Sequence, residues 1–257
     1  MYLQPIFDSN DIMKQLPGDS KKFKGVDKQW REIITKTKAN PNVLACCTQI
    51  TLTVKEQKGD PTEKPLLDGL RMCNDQLDIV SKRLKDYLES KCGVFARFYF
   101  LSADELLQIL SQTKEVKNVR PHLKKVFENM ADLEFQPDTT ITAMMSGEKE
   151  KIELLYTVDP RDKNVENWMC EVEEAMYKSI RHVLHYSITD YDDIARTDWI
   201  LKHPGQCVLN GSQVHWTKLL EEAALADGDA GVKGFFDKLG RELLDTVGLV
   251  RKPKTKL

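Results

Sequence analysis

No run in this 257-residue sequence approaches the roughly 20 consecutive apolar residues that a bilayer span requires. The opening stretch MYLQPIFDSNDIMKQLPG lacks the basic-then-apolar order of a secretory leader. A membrane segment and an export signal are both unexpected, and the chain reads as cytosolic. Net charge is also scarce: 38 Lys and Arg stand against 40 Asp and Glu, a formal charge of −2. No global attraction to nucleic acid or to an anionic membrane follows from that balance. The six cysteines (Cys46, Cys47, Cys73, Cys92, Cys170, Cys207) form no C-x-x-C pair and no secreted disulfide spacing, so they read as free thiols.

Catalytic signatures are missing as well. There is no G-x-x-x-x-G-K-[ST] phosphate loop and no G-x-G-x-x-G, and GDAGVKG at Gly228 to Gly234 has the wrong order for either. No G-x-S-x-G elbow is present. His182 and His185 stand one helical turn apart with Asp190, Asp192 and Asp193 downstream, but two histidines without a third ligand fall short of a zinc site. His203 and His215 each stand alone. The chain by itself is therefore expected not to be an enzyme, with no catalytic residue, cofactor or metal of its own.

What is present is helical periodicity, in a composition of 41% hydrophobic and 30% charged residues that suits a well-packed helical protein. After Leu16-Pro17-Gly18, with Asp19 or Ser20 as a cap, Phe23, Val26, Trp30, Ile33 and Ile34 form one stripe, which Asn40-Pro41 ends. Val43 to Val54 is rich in Thr and β-branched residues and fits helix or strand. Lys55 to Pro61 reads as a solvated loop. Leu66, Leu70, Cys73, Leu77, Val80, Leu84 and Tyr87 then alternate steps of four and three, predicting a long helix from Leu66 to Glu89. Next comes VFARFYFLSADELLQILS, in which an aromatic run leads into Ser102 and Glu105, a Ser-x-x-Glu capping box. Val119, Leu123, Val126, Phe127 and Met130 predict a further helix.

The period then changes. Leu133, Phe135, Ile141, Ala143, Met145, Ile152, Leu154 and Tyr156 alternate with polar residues, broken at Gln136-Pro137-Asp138 and Ser146-Gly147-Glu148, which predicts a small antiparallel meander. Such a sheet needs a helical partner for one face. Beyond Asp159-Pro160, Val165, Trp168, Met169, Val172, Met176, Ile180, Val183 and Leu184 restore a helical stripe. The expected fold is mainly α: elongated helical bundles with one small antiparallel β meander. The expected domains are a first bundle over 1–130, the meander over 131–158 and a second bundle over 159–257.

Several blocks carry a resemblance. Phe95, Arg97, Phe98, Tyr99, Phe100, Ser102, Asp104 and Glu105, followed by Pro121, His122, Lys124, Lys125 and Phe127, read as F-x-R-F-Y-F-L-S-x-D-E-L-L and P-H-L-K-K-x-F-E. Trp168 opens WMCEVEEAMYKSI. Trp199, Pro204, Gly205, Gln206, Gln213 and Trp216 punctuate RTDWILKHPGQCVLNGSQVHWT, and Val26-Asp27 with Trp30-Arg31 gives V-D-x-x-W-R. These blocks resemble the linker region of dynein heavy chains, axonemal type, from about Pro5 to Glu222 with an insertion near Lys55 to Pro65. Ala96 stands where the family has Pro, His203 where it has Trp, and Cys207 where it has Val.

The resemblance implies a mechanical part: an arm lying across the AAA+ ring of the same heavy chain, bending and straightening as ATP turns over. ATP and magnesium would belong to that ring, before which this chain stops, so that it reads as a fragment. Other dynein subunits and microtubules would be partners through the full motor, and the ciliary or flagellar axoneme the location. The hinge is expected near Asp159 and Pro160. Alternatives are a static helical scaffold, although no internal repeat is visible, or a module that binds a regulator through exposed stripes.

Overall fold

The computed structural model describes residues 7, 10–54, 62–111 and 115–251. The expected Lys55–Pro61 loop lies outside them. Contacts divide the chain into two compact units, Met1–Asn129 with Pro160–Cys170, and Met130–Asp159 with Glu171–Leu257. The architecture is mainly α with two small antiparallel sheets.

In the first unit, α1 (Asn10–Gln15) precedes α2 (Pro17–Ala39) and α3 (Val43–Gln49). Helix α2 begins at Pro17 rather than at an Asp19 or Ser20 cap, because a proline at the first position lacks only an N–H that would be unbonded anyway. Asp19 falls in the first turn, where its charge suits the helix dipole. Of the predicted stripe, Val26 and Ile33 are buried, but Trp30 is 51% exposed and Ile34 is exposed as well. Asn42 caps α3 by accepting from the Ala45 amide at 3.1 Å.

The ambiguous stretch from Val43 to Val54 divides into α3 and strand β1 (Thr51–Val54), which pairs antiparallel with β2 (Thr62–Pro65), a hairpin the sequence did not announce. Helix α4 (Leu66–Val94) is longer than the periodicity predicts. Its buried line is Gly69, Cys73, Val80, Leu84, Leu88 and Cys92. Leu70 of the heptad is exposed and Leu88 replaces Tyr87, because a straight helix at 3.6 residues per turn drifts off a 3.5 repeat. The Cys73 thiol donates to Gln29 Oε1 at 2.7 Å, tying α4 to α2.

A 3₁₀ turn (Ala96–Phe100) leads to α5 (Ala103–Ser111). The predicted Val119–Met130 helix does not form as one element. A 3₁₀ segment (Val116–His122) containing Pro121 is followed by the single turn α6 (Leu123–Val126), and Met130 already starts a strand. Proline at 121 removes an N–H and clashes with the preceding turn, so α-geometry cannot extend through it.

The second unit holds the meander β3 (Met130–Phe135), β4 (Ile141–Ser146) and β5 (Lys151–Val158), in the order β3-β4-β5. Its hairpins close where expected, through Thr139 at φ 72° and Lys149 at φ 69°. Register irregularities near both ends of β3 and between Ile141 and Ala143 break strict alternation. Met144, rather than Met145, is consequently buried beside Ile141 and Ala143.

Helix α7 (Val165–Thr189) adjoins the edge strand β5, where Ser179 Oγ accepts the Leu155 amide at 3.0 Å. Helix α8 (Arg196–Lys202) ends before Pro204, and α9 (Gly205–Arg251) follows. Within α9 the backbone reverses at Gly228 (φ 53°, ψ −129°). The rings of Trp216 and Phe235 then meet at 6.3 Å, whereas one continuous helix would hold them ~28 Å apart. The last element is thus a helical hairpin.

Candidate functional site

The aromatic motif builds a compact joint in the first unit. Phe95 and Phe98 are almost wholly buried and meet edge-on at 4.9 Å, and Phe95 lies 6.2 Å from Phe127. Arg97 sits with its guanidinium 5.0 Å over the Phe127 ring, and its Nη1 donates to the Val126 carbonyl at 3.3 Å. The intervening residues point outward: Tyr99 is 64% and Phe100 68% exposed.

The capping box then forms in both directions. The Ser102 amide donates to Glu105 Oε2 at 3.0 Å, and the Glu105 amide donates to Ser102 Oγ at 3.3 Å. Asp104 lies in the same first turn, with favourable charge for the dipole. Lys125 forms an ion pair with Glu105 Oε1, and His122 Nδ1 stands 3.9 Å from the same oxygen. The Lys125 hydrogen bond, followed by those from Ser102, lowers the Glu105 carboxyl to about 2. Pro121 and Lys124 lie on the surface of this joint. One carboxylate therefore pins the start of α5 to the Pro-His-Leu-Lys-Lys segment.

The tryptophan block builds a second joint, in the other unit. Trp199 is fully buried, and its indole N–H donates to the Ser187 carbonyl at 2.8 Å. Tyr191 meets it edge-on at 5.1 Å and stacks on His215 at 3.9 Å with an interplanar angle of 9°. His215 Nε2 donates to the Ile188 carbonyl at 2.9 Å, and His203 Nε2 donates to Asp190 Oδ2 at 2.9 Å. The two histidines that seemed solitary in the sequence are thus tied into the joint. Lys202, which also binds Asp190, is the larger cause of that carboxyl's lowered pKa, and burial raises the Tyr191 phenol.

Gly205 opens α9, its amide donating to Glu150 Oε1 of the meander turn at 2.8 Å. Pro204 is half-buried and Gln206 exposed. Gln213 and Trp216 line a cavity of about 550 Å³ between the arms of the hairpin, which also takes in Arg196, Phe235 and Glu242. Arg196 Nη1 lies 3.4 Å from Glu242 Oε2 across it.

Trp30 faces outward on α2, and Trp168 is buried in the first turn of α7. Asp159 and Pro160 lie between β5 and α7. His182 and His185 rest edge-on against Tyr186, at 4.7 and 6.1 Å. Asp190 is engaged by Lys202 and His203, and no cluster of three or more His, Cys, Asp or Glu able to hold a metal occurs among the described residues. Sequence reasoning missed the ion pair between Lys91 and Glu166, which are far apart in the chain and belong to no motif.

Both joints are built from the blocks that the sequence singled out, and comparison with known proteins gives their family. The family model described as "Dynein heavy chain, N-terminal region 2" matches residues 1–187. The chain belongs to the dynein heavy chain family. It is 42% identical over 251 residues to dynein axonemal heavy chain 1 of Rattus norvegicus, covering 98% of this chain and 5% of that protein. It is also 42% identical over 253 residues to dynein axonemal heavy chain 12 of Rattus norvegicus, covering 98% of this chain and 8% of the relative. Dynein axonemal heavy chain 6 of Homo sapiens is 36% identical over 272 residues, covering 97% and 6%. The chain thus spans well under a tenth of the heavy chains it matches. Among the described residues no helix is long and apolar enough to cross a membrane.

Proposed function

We propose that this chain is a mechanical linker element of an axonemal dynein motor, packing across the AAA+ ring of its heavy chain and bending and straightening during ATP-driven movement along microtubules. The observation that carries the reading is likeness to axonemal heavy chains along 98% of the sequence. Long packed helices suit the task, since close-packed interiors resist compression and transmit displacement. ATP and magnesium are assigned to the ring, for no phosphate-loop sequence occurs in this chain. Other dynein subunits and microtubules are partners through the full motor, in the axoneme. No nucleic-acid or membrane role is proposed.

The bend is placed at Asp159 and Pro160. The reading is supported by the non-helical connection between Val158 and Val165, by a proline without an N–H, and by the unit boundary between these two residues. The test is an axonemal motor with this segment deleted or carrying Pro160→Ala. Deletion should leave ring ATPase measurable and abolish microtubule gliding, and Pro160→Ala should alter gliding velocity. Unchanged gliding after deletion would overturn the linker reading in favour of a static scaffold or a regulator-binding module; unchanged gliding with Pro160→Ala alone would remove only the hinge assignment.

A further inference from the structure

Lys91 lies in the last turn of α4, and Glu166 in the first turn of α7. Their Nζ and Oε1 atoms are 2.5 Å apart, and the side chains are only 13% and 5% exposed. The Lys91 ammonium also lies 5.3 Å over the Tyr87 ring. Close to the pair in sequence, Cys92, Phe95, Val165, Trp168 and Met169 are buried, and the Cys170 thiol reaches the Val94 carbonyl at 3.6 Å.

Helix dipoles make this placement favourable from both sides: a cation sits at the negative end of α4 and an anion at the positive end of α7. Desolvation opposes it, because each charge has lost its water and neither retains another described ion-pair partner. Such a pair adds little net stability over two apolar residues of the same shape. Removing one member, however, strands the other charge in a dry site. The contact is therefore held closed by the cost of opening it. Its energy is also local, because Pro160–Cys170 groups with the first unit, whereas α7 from Glu171 onward groups with the second.

We propose that the Lys91–Glu166 pair is a latch that seats the entry of α7 against the end of α4, so that losing either charge frees Pro160–Cys170 without unfolding the rest of the chain. The latch is independent of the motor reading, because it is a property of the 257-residue chain itself. Within that reading, it would fix the segment adjoining the proposed bend.

The test is amide hydrogen exchange of the full chain carrying Lys91→Met, Glu166→Gln, or Lys91→Met with Glu166→Leu. Each single change should accelerate exchange in Pro160–Cys170 and the last turn of α4 by roughly a hundredfold, with the β3–β5 sheet and α9 little changed. The double apolar change should restore protection to within about tenfold of the parent. Unchanged exchange in the single variants, equal acceleration throughout both units, or failure of the double variant to restore protection would each overturn the latch. Gliding by a motor bearing the same variants is a separate readout of the linker reading.

Discussion

Trp199 lies so close to Gly211 that a methyl group at 211 would stand 3.1 Å from Cζ2 of the indole and 3.3 Å from Ser187 Oγ. The ring cannot retreat freely, because its N–H is bonded to the Ser187 carbonyl. Gly211→Ala should therefore destabilise by about 1–3 kcal/mol through overpacking, and Trp199→Ala by about 3–5 kcal/mol through a cavity and a carbonyl left without its donor. Urea unfolding measures both. A Gly211→Ala variant as stable as the parent would mean that the indole is not fixed where the hydrogen bond places it.

Two helical glycines should respond with opposite sign. A Cβ at Gly69 would lie 2.4 Å from Leu52 Cδ1 and 3.1 Å from its Cβ, and Leu52, in β1, is fully buried. Gly25 has open space around it on exposed α2. Gly69→Ala should cost about 1–3 kcal/mol, while Gly25→Ala should gain about 0.5–1 kcal/mol from helix propensity. Thermal unfolding of the pair decides it, and a stabilising Gly69→Ala would show that Leu52 has room to move.

Glu105 gives a pH dependence of defined sign. Its folded pKa, about 2, lies below the ordinary 4.5, chiefly because Lys125 donates to it. The contribution is therefore complete above the unfolded value and is lost as pH falls from about 4.5 toward 2. Glu105→Gln should lower stability near pH 7 and narrow the difference from the parent as the solution is acidified through that window. A difference that stays constant from pH 6 to pH 2 would rule out the assignment. Exposure of the pair to solvent keeps the effect modest.

Thiol chemistry reads the packing directly. Cys47 is exposed and Cys46 partly so, whereas Cys73, Cys92 and Cys207 are buried and held above the usual thiol pKa, mainly by burial. With iodoacetamide followed by mass spectrometry, Cys47 should label first and the buried three roughly tenfold or more slowly. Labelling of Cys73 as fast as Cys47 would contradict the contact between α2 and α4.

Local chemistry made much of this fold legible, and distance in sequence hid the rest. The capping box was readable because its two residues lie three positions apart, and the meander because its turns carry Pro-Asp and Gly-Glu. The Val119–Met130 helix was overread, since an apolar repeat at helical spacing does not reveal that Pro121 confines the segment to 3₁₀ geometry. Trp30 shares an apolar stripe with Val26 and Ile33 yet is exposed, because the partner that decides burial is not encoded in α2 itself. His203 and His215 seemed solitary because Asp190 and Tyr191 reach them only after α8 and α9 turn. Lys91 and Glu166 had no local signal at all.

The reversal within α9 offers a last test, because it depends on two glycines for different reasons. Gly228 has φ 53° with ψ −129°, which a side chain resists, and a Cβ at Gly231 would lie 2.0 Å from the Ala223 carbonyl oxygen. Gly228→Ala should cost about 1–3 kcal/mol in backbone strain. Gly231→Ala cannot be accommodated unless the hairpin opens, since the obstacle is backbone rather than a movable side chain. The nuclear Overhauser contact between the Trp216 and Phe235 rings, 6.3 Å apart in the parent, should then weaken or vanish while the buried Trp199 environment persists. If that contact survives Gly231→Ala at full strength, the aromatic packing holds the two arms together while Tyr191 and Arg196 hold Glu242 of the second arm from outside the hairpin, and the tight turn is not what fixes it.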